Sequence, residues 1–470
     1  MNILGTLLDI LGKSKDELNA RRDLVGLKLR PELAPISSEK KIFIPPACYT
    51  LTKEEKLCVL KTLSRIKVPE GYSSNIRNLV SMIDLKLNSL KSHDCHVLIQ
   101  QLFPIAIRSM LPKHVLTRLC IFFNSVCNKV LDAQQLDKLE EDIVVTLCLF
   151  EKYFLPSFFT IMIHLTVHIV REVKLCGPIY LRWMYPFERF MKVIKKSVRN
   201  RYRPEADPVG LGTRKSQDHL DTSNIGRPLS MGVPFKPEQE LLRQAHRYVM
   251  ENTIDVSTEL EVGNSGVSDN LRWIAHGPHP FVITYSGLAI NGCRYHTKSS
   301  EKDRSVQNSG VSLVAKTMQV SSSKDKNPVI GDISFYGVIQ EIWELNYNTF
   351  NVSVFKCDWV QNSGDVRIDE LGYTLVDLNR VGHKSDSFIL ASQAKQVFYV
   401  EDPSDVRWSV VLTPPQREFE DRYNDDELGD TILRCEGIPN DMSDVYLNND
   451  LDENVSTYVR SDCEGTWIPT

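Results

Sequence analysis

Three residues at helical spacing are the first candidates for chemistry. In "HLTVHIVRE", His164, His168 and Glu172 fall at i, i+4 and i+8, on one face of a helix. Two imidazoles and a carboxylate so arrayed could ligate zinc, as the histidines of H-E-x-x-H do in metalloproteases. The glutamate that acts as base between those histidines is missing here. "SHDCH" offers His93, Asp94, Cys95 and His96 to complete a shell, if the fold brings it near. The competing reading is a pair of helical histidines bonded to their neighbours.

A second candidate is "RWMYPFERFMKVIKKSVRNRYR", residues 182–203, where Glu188 stands among eight basic side chains. On a helix, Lys192, Lys195, Lys196 and Arg199 share a face, with Arg201 and Arg203 just beyond, while Phe187, Phe190, Met191 and Ile194 face the other way. Such a stripe neutralises phosphates without reading bases, or else is a solvated helix face. Glu188 precedes Lys192 by one turn, the orientation that favours an ion pair. Two-metal phosphoryl transfer needs several converging carboxylates, and the spacing around Glu188 supplies no second one.

Farther along, Cys293, His296, Cys357 and Asp358 include possible zinc donors, but strand alternation separates neighbours onto opposite faces and favours buried thiols. Tyr336, Trp343, Tyr347, Phe355 and Trp359 form either an aromatic surface for a peptide or methylated cation, or a core. Neither a phosphate-binding glycine loop nor a G-x-S-x-G elbow occurs, so nucleotide and acyl-transfer enzymes are not indicated.

The elements that position these residues follow from pattern. At 470 residues there is room for two or three domains. A net charge of -4 excludes a uniformly basic nucleic-acid binder but not a local patch. Eleven cysteines with no C-x-x-C pair suit a reducing, intracellular setting. There is no cleavable signal at the start and no membrane-length apolar run.

Residues 1–97 read as helices joined by proline-rich loops. The clearest, "LTKEEKLCVLKTLSRI", has Thr52 as N-cap and a stripe of Leu57, Val59, Leu60, Leu63 and Ile66. Residues 98–205 form a helical domain, 206–245 a Gly/Pro/Ser-rich linker, and 236–252 a short helix. Eight short aromatic-rich runs between 278 and 412 predict a small antiparallel β-barrel-like domain. From 416 to 470 fifteen acidic side chains face four basic ones, so 413–470 reads as an acidic disordered tail with a few apolar patches. The fold class is α+β and multidomain.

Several long strings carry a resemblance. "NILGTLLDILGKSKDELNARRDL", "IPPACYTLTKEEK" and "LKSHDCHVLIQQLFPIAIR" resemble the end of a plant CACTA-type (En/Spm) transposase core. "LDKLEEDIVVTLCLFEKYFLPSFFTIMIHLTVHIVREVKLCGPIYLRWMYPFERF" resembles domain of unknown function 4218, the helical domain that follows that core. "FYGVIQEIWELNYNTFNVSVFKCDWVQNSGDVRIDELGYTLVDLNR" resembles domain of unknown function 4216, and "YVRSDCEGTW" is similar to the family's closing motif.

The resemblance implies a transposon-derived nuclear protein. Its partners would be DNA, bound without sequence preference, and other transposon-encoded or nuclear proteins, with no membrane and no small-molecule substrate. The family's RNase H-like catalytic region, whose acidic residues hold two divalent metals, would lie mainly upstream of Met1. The chain is therefore expected not to be an enzyme and to need no cofactor, with Glu188 or Glu172 at most the vestige of a third catalytic acid. The alternative is a domesticated nuclear interaction module using the β domain. The family pattern is broken after Glu205, where "ADPVGLGTRKS" replaces the usual segment, and between "HRYVMENTIDV" and "LRWIAHGP", which is shortened.

Overall fold

The computed structural model describes residues 2–8, 13–70, 72, 75–88, 90–108, 113–128, 131–182, 184, 191, 226–252, 269–319, 329–369, 372–383, 385–414, 458–460 and 462–469. Its N-terminal half is helical and its C-terminal region rich in antiparallel sheet. No helix among the described residues is long and apolar enough to cross a membrane.

Among the described residues the first half holds the helices α1 (Asn2–Leu7), α2 (Leu18–Leu27), α3 (Lys53–Arg65), α4 (Ser92–Val97), α5 (Phe103–Ile107), α6 (Lys113–Val126), α7 (Ala133–Tyr153) and α8 (Ile161–Cys176). α3 starts where its capping chemistry dictates. The Thr52 hydroxyl accepts the Glu55 N–H at 3.1 Å, and the Glu55 carboxylate accepts the Thr52 N–H at 2.8 Å. Val59, Leu60, Leu63 and Ile66 are buried as the stripe requires, whereas Leu57, at its margin, lies exposed.

Asp132 caps α7 by accepting the Gln134 N–H at 3.1 Å, and Leu136, Leu139, Ile143, Thr146 and Phe150 form its buried line. α8 packs against α7 through Thr166, Val170 and Val173 and stops at Gly177, whose φ of 79° suits a residue without Cβ. Beneath lies an aromatic stack, with Phe154 centred 4.8 Å from Tyr49 and 4.1 Å from Phe150. The buried Arg21 is satisfied by Asp16 and by the carbonyls of Leu33 and Pro45.

Two small sheets accompany the helices. β1 (Ile36–Ser37) and β2 (Lys41–Ile44) form a hairpin, as do β3 (Val80–Ser81) and β4 (Lys86–Leu87). Beyond residue 225 the strands begin with β5 (Arg227–Pro228) and β6 (Val233–Phe235), inside the stretch read as linker. β7 (Val282–Tyr285), β8 (Gly287–Ile290), β9 (Cys293–His296), β10 (Gly310–Gln319), β11 (Val329–Asn346) and β12 (Asn351–Val360) follow. Then come β13 (Val366–Ile368), β14 (Thr374–Val376), β15 (Val381–Gly382), β16 (Phe388–Leu390), β17 (Lys395–Gln396), β18 (Phe398–Glu401) and β19 (Ser409–Leu412).

β10, β11 and β12 are the long antiparallel centre of an eight-stranded sheet; β13, β14, β19 and β18 form a second sheet, and β5, β8 and β9 a third. Every expected strand run contains a strand, but among the described residues no sheet closes into a barrel. The reason lies in the side chains of β11 and β12. Ile342 and Phe355 pack on one face with Leu288, Ile290 and Tyr295 of β8 and β9. Trp343 and Val354 pack on the other with Ala245 and Val249 of the helix Gln239–Asn252. A sheet apolar on both faces must be covered on both, and a layered arrangement does this.

The halves share one core. Tyr373, Leu375, Phe398, Val400, Trp408, Val410 and Leu412 of the second sheet belong to the same buried cluster as Leu60 and Leu63 of α3. Polar contacts line the seam: the Gln307 N–H donates to the Val68 carbonyl at 3.1 Å, and the Glu70 N–H to the Asn308 side chain at 3.0 Å.

The acidic stretch 415–457 lies outside the described residues, but the end of the chain does not. β20 (Thr466–Pro469) is the third strand beside β2, so this part of the expected disordered tail is ordered.

Candidate functional site: a cationic cleft at the seam

The buried stripe of α3 sets the opposite face outward, and that face carries Lys61 and Arg65, with Lys67 just past the helix end. Across from them lie the turn Lys298–Glu301 and the loop joining β18 to β19. Between these walls is a cleft of about 610 Å³. Five cationic side chains line it, Lys61, Arg65, Lys67, Lys298 and Arg407, against two acidic ones, Glu401 and Asp402.

These charges are unequally engaged. Arg407 is bound to Asp377 at 2.8 Å and Asp365 at 3.1 Å, and Asp402 faces Arg108 at 3.6 Å. Desolvation is the largest single influence on the Asp377 carboxyl and raises its pKa, but the hydrogen bonds from Arg407 and Asn379 and the charge of Arg407 together outweigh it and hold the group below its usual range. Arg65 meets Glu401 at 3.6 Å with both side chains largely exposed, a weak pair. Among the described contacts, the ammonium groups of Lys61 and Lys298 meet no carboxylate, and both residues are exposed. The cleft therefore presents uncompensated positive charge at its mouth, suited to an anion.

Glu301 supports the wall that carries Lys298. It is buried, and its carboxylate accepts the Asn308 N–H and the Ser309 hydroxyl, the latter at 2.6 Å. Burial pushes its pKa above the usual value, opposed by those hydrogen bonds and by Lys67. The folded protein thus holds this proton to higher pH than the unfolded chain does. The stabilisation is fully present below the ordinary carboxyl value of about 4.3 and is lost as pH rises through the folded one. Urea unfolding of wild type and Glu301→Gln across pH 4 to 8 is expected to show the difference moving in favour of the variant as pH rises, because the amide cannot ionise. A difference that stays constant with pH would refute this.

The other candidate residues are placed as follows. His164 and His168 are exposed on α8, their Nε2 atoms 3.4 Å apart. Glu172 is exposed as well and pairs with Arg182 at 3.7 Å. Among the described residues no group of three or more His, Cys, Asp or Glu converges, so "SHDCH" does not complete that pair. Asp94 is buried and accepts the Lys91 N–H at 2.9 Å, a helix-capping role.

His296 is a satisfied core histidine, 3.0 Å from the Asn308 side chain, and burial lowers its pKa. Cys357 is buried, which pushes its thiol well up, and Cys293 is half-buried. Trp343, Tyr347, Phe355 and Trp359 are buried and Tyr336 is half-buried against the cluster that holds Val338 and Tyr399, so the set serves mainly as core. Trp343 donates its Nε1–H to Glu341 at 2.8 Å and packs against Phe388. Glu188, Lys192, Lys195, Lys196, Arg199, Arg201 and Arg203 lie outside the described residues.

Sequence reasoning passed over Lys61, Arg65 and Lys298. The i, i+4 pair on α3 was visible in "KTLSR", but nothing local joins it to a turn more than two hundred residues later.

Comparison with known families finds two matches, in this order along the chain. A model described as Domain of unknown function (DUF4218) is similar to residues 126–209, and one described as Domain of unknown function (DUF4216) to residues 343–411. The first takes in α7 and α8, the second most of the strands from β11 to β19. No curated protein and no solved structure matches the chain.

Proposed function

We propose that the chain is a transposon-derived protein, of the CACTA type, that holds the phosphate backbone of DNA in the seam cleft, without reading sequence and without cutting the strand. The observation that carries this is the cleft itself: five cations against two acids, with Lys61 and Lys298 left to meet a ligand. The two family matches support the ancestry, since both domains are common in transposon-related proteins. Work in the nucleus, and partnership with other transposon-encoded or nuclear proteins, follow from the same ancestry.

Phosphate contacts fix position and supply affinity but carry no base information, so the site suits nonspecific binding. Strand transfer would need convergent carboxylates, and Glu172 is instead held at the surface by Arg182. In this reading the protein brings no catalysis and requires no cofactor. Burial of Trp343 and Trp359, with Tyr336 half-buried, counts against an interaction role for the β region that rests on an exposed aromatic surface.

The test is fluorescence anisotropy of a labelled duplex at 20 to 200 mM salt. Binding is expected at low salt, with log K falling linearly against log salt with a slope of roughly -3 to -5, about one unit per phosphate engaged. Two unrelated duplex sequences should give the same affinity. No binding at 20 mM salt, or binding indifferent to salt, would end the proposal.

A further inference from the structure

We infer that β2, the turn at residues 46–50 and the first turn of α3 form a docking site for an extended peptide, whose occupant is the chain's own segment 458–469, held as a separable ligand. The contacts are those of strand addition with specific anchors. β20 pairs antiparallel with β2, setting Phe43 opposite Trp467 and Ile42 opposite Ile468. Upstream of it, the Cys48 N–H donates to the Tyr458 carbonyl at 2.8 Å and the Arg460 N–H to the Pro46 carbonyl at 3.1 Å.

Four positions of the segment give this surface selectivity. The Arg460 guanidinium forks onto Glu55 at 2.8 and 3.1 Å and also donates to the Thr50 carbonyl at 3.0 Å. Gly465 passes so close to β2 that a Cβ there would lie 2.3 Å from the Phe43 ring and 2.5 Å from the Ile44 carbonyl oxygen. Trp467 rests on Phe43 with ring centroids 5.1 Å apart. The guanidinium of Arg30 also covers the Tyr458 ring at 4.6 Å.

The described contacts of the segment therefore fall on residues 30–56, more than four hundred positions upstream. Residues 415–457, which join it to β19, carry thirteen acidic and three basic side chains, a composition that supplies little apolar surface of its own. A short strand anchored at specific positions to a part of the chain so distant in sequence is bound as a peptide is bound. Glu55 holds both Arg460 and the N-terminus of α3, so the occupied site steadies the helix that bears Lys61 and Arg65.

The test uses the full chain with a protease recognition sequence inserted between Asn440 and Asp441. After folding and complete cleavage, confirmed by mass, the sample is passed over a sizing column at 1 to 10 µM. The carboxy-terminal piece is expected to co-elute with the body at the mass of one copy. Arg460→Ala and Gly465→Val alter only the piece and leave the body as it was; each is expected to weaken retention about tenfold or more. Separation of the wild-type piece would overturn the inference, and so would retention unmoved by both substitutions. Elution at twice the mass would overturn occupancy by the chain's own segment. None of these outcomes bears on whether the cleft binds DNA.

Discussion

Replacing Arg108 by methionine is expected to lower the unfolding free energy by about 3 kcal/mol or more. Arg108 leaves the end of α5 and enters the seam, where its guanidinium bonds the Asp369 carboxylate and stands 3.6 Å from Asp402. All three side chains are at most one-tenth exposed. Removing the cation leaves two buried carboxylates without their shared counter-ion, which is costlier than losing an ordinary hydrogen bond. Each carboxylate keeps one backbone donor, Tyr373 N–H at 2.7 Å for Asp369 and Ser404 N–H at 2.8 Å for Asp402, which places the loss at the lower end of the range for broken buried pairs.

Adding Asp369→Asn to the methionine variant should recover part of the loss, since one buried charge is then removed. Urea denaturation of the three proteins measures this directly. A loss below about 0.5 kcal/mol for Arg108→Met would mean that the ion pairs do not hold the halves together and that the apolar cluster alone does so.

How far the fold could be read from residues depended on the range of the interactions. α3 was legible because its causes are local: Thr52 and Glu55 close the cap within four residues, and Val59, Leu60 and Leu63 repeat within three turns. The strand runs were legible for the same reason. Their assembly was not, because a run such as "GVIQEIWEL" buries Ile342 on one side and Trp343 on the other, and what covers each side is fixed only by distant elements.

The spacing of His164, His168 and Glu172 did place them on a shared face, but Thr166, Val170 and Val173 took the inward one. The acidic count at the chain end masked the few residues that matter there. Arg460, Gly465 and Trp467 meet Glu55 and Phe43 across more than four hundred positions of chain, a range no local pattern reveals.

Reversing charge in the cleft should have the largest functional effect. In Lys61→Glu/Arg65→Glu/Lys298→Glu the three cations at the mouth become anions, while the buried residues Val59, Leu60, Leu63 and Glu301 are untouched. Each phosphate contact contributes about 0.9 to the slope of log K against log salt, so losing three contacts costs roughly two to three orders of magnitude in affinity at 0.1 M salt. Repulsion by the new carboxylates adds to this, and the duplex should appear unbound at concentrations that saturate the wild type. Alanine at the same positions should lower the magnitude of the slope by roughly three without reversing it. The substituted residues are exposed, so unfolding transitions should stay within about 0.5 kcal/mol of wild type for each site, which separates loss of binding from loss of fold. Comparable charge reversal at Lys138, Lys152 and Arg171 on the α7–α8 surface serves as the control. If that control abolished binding and the cleft variant did not, the DNA-contacting surface would belong to the helical domain and not to the seam.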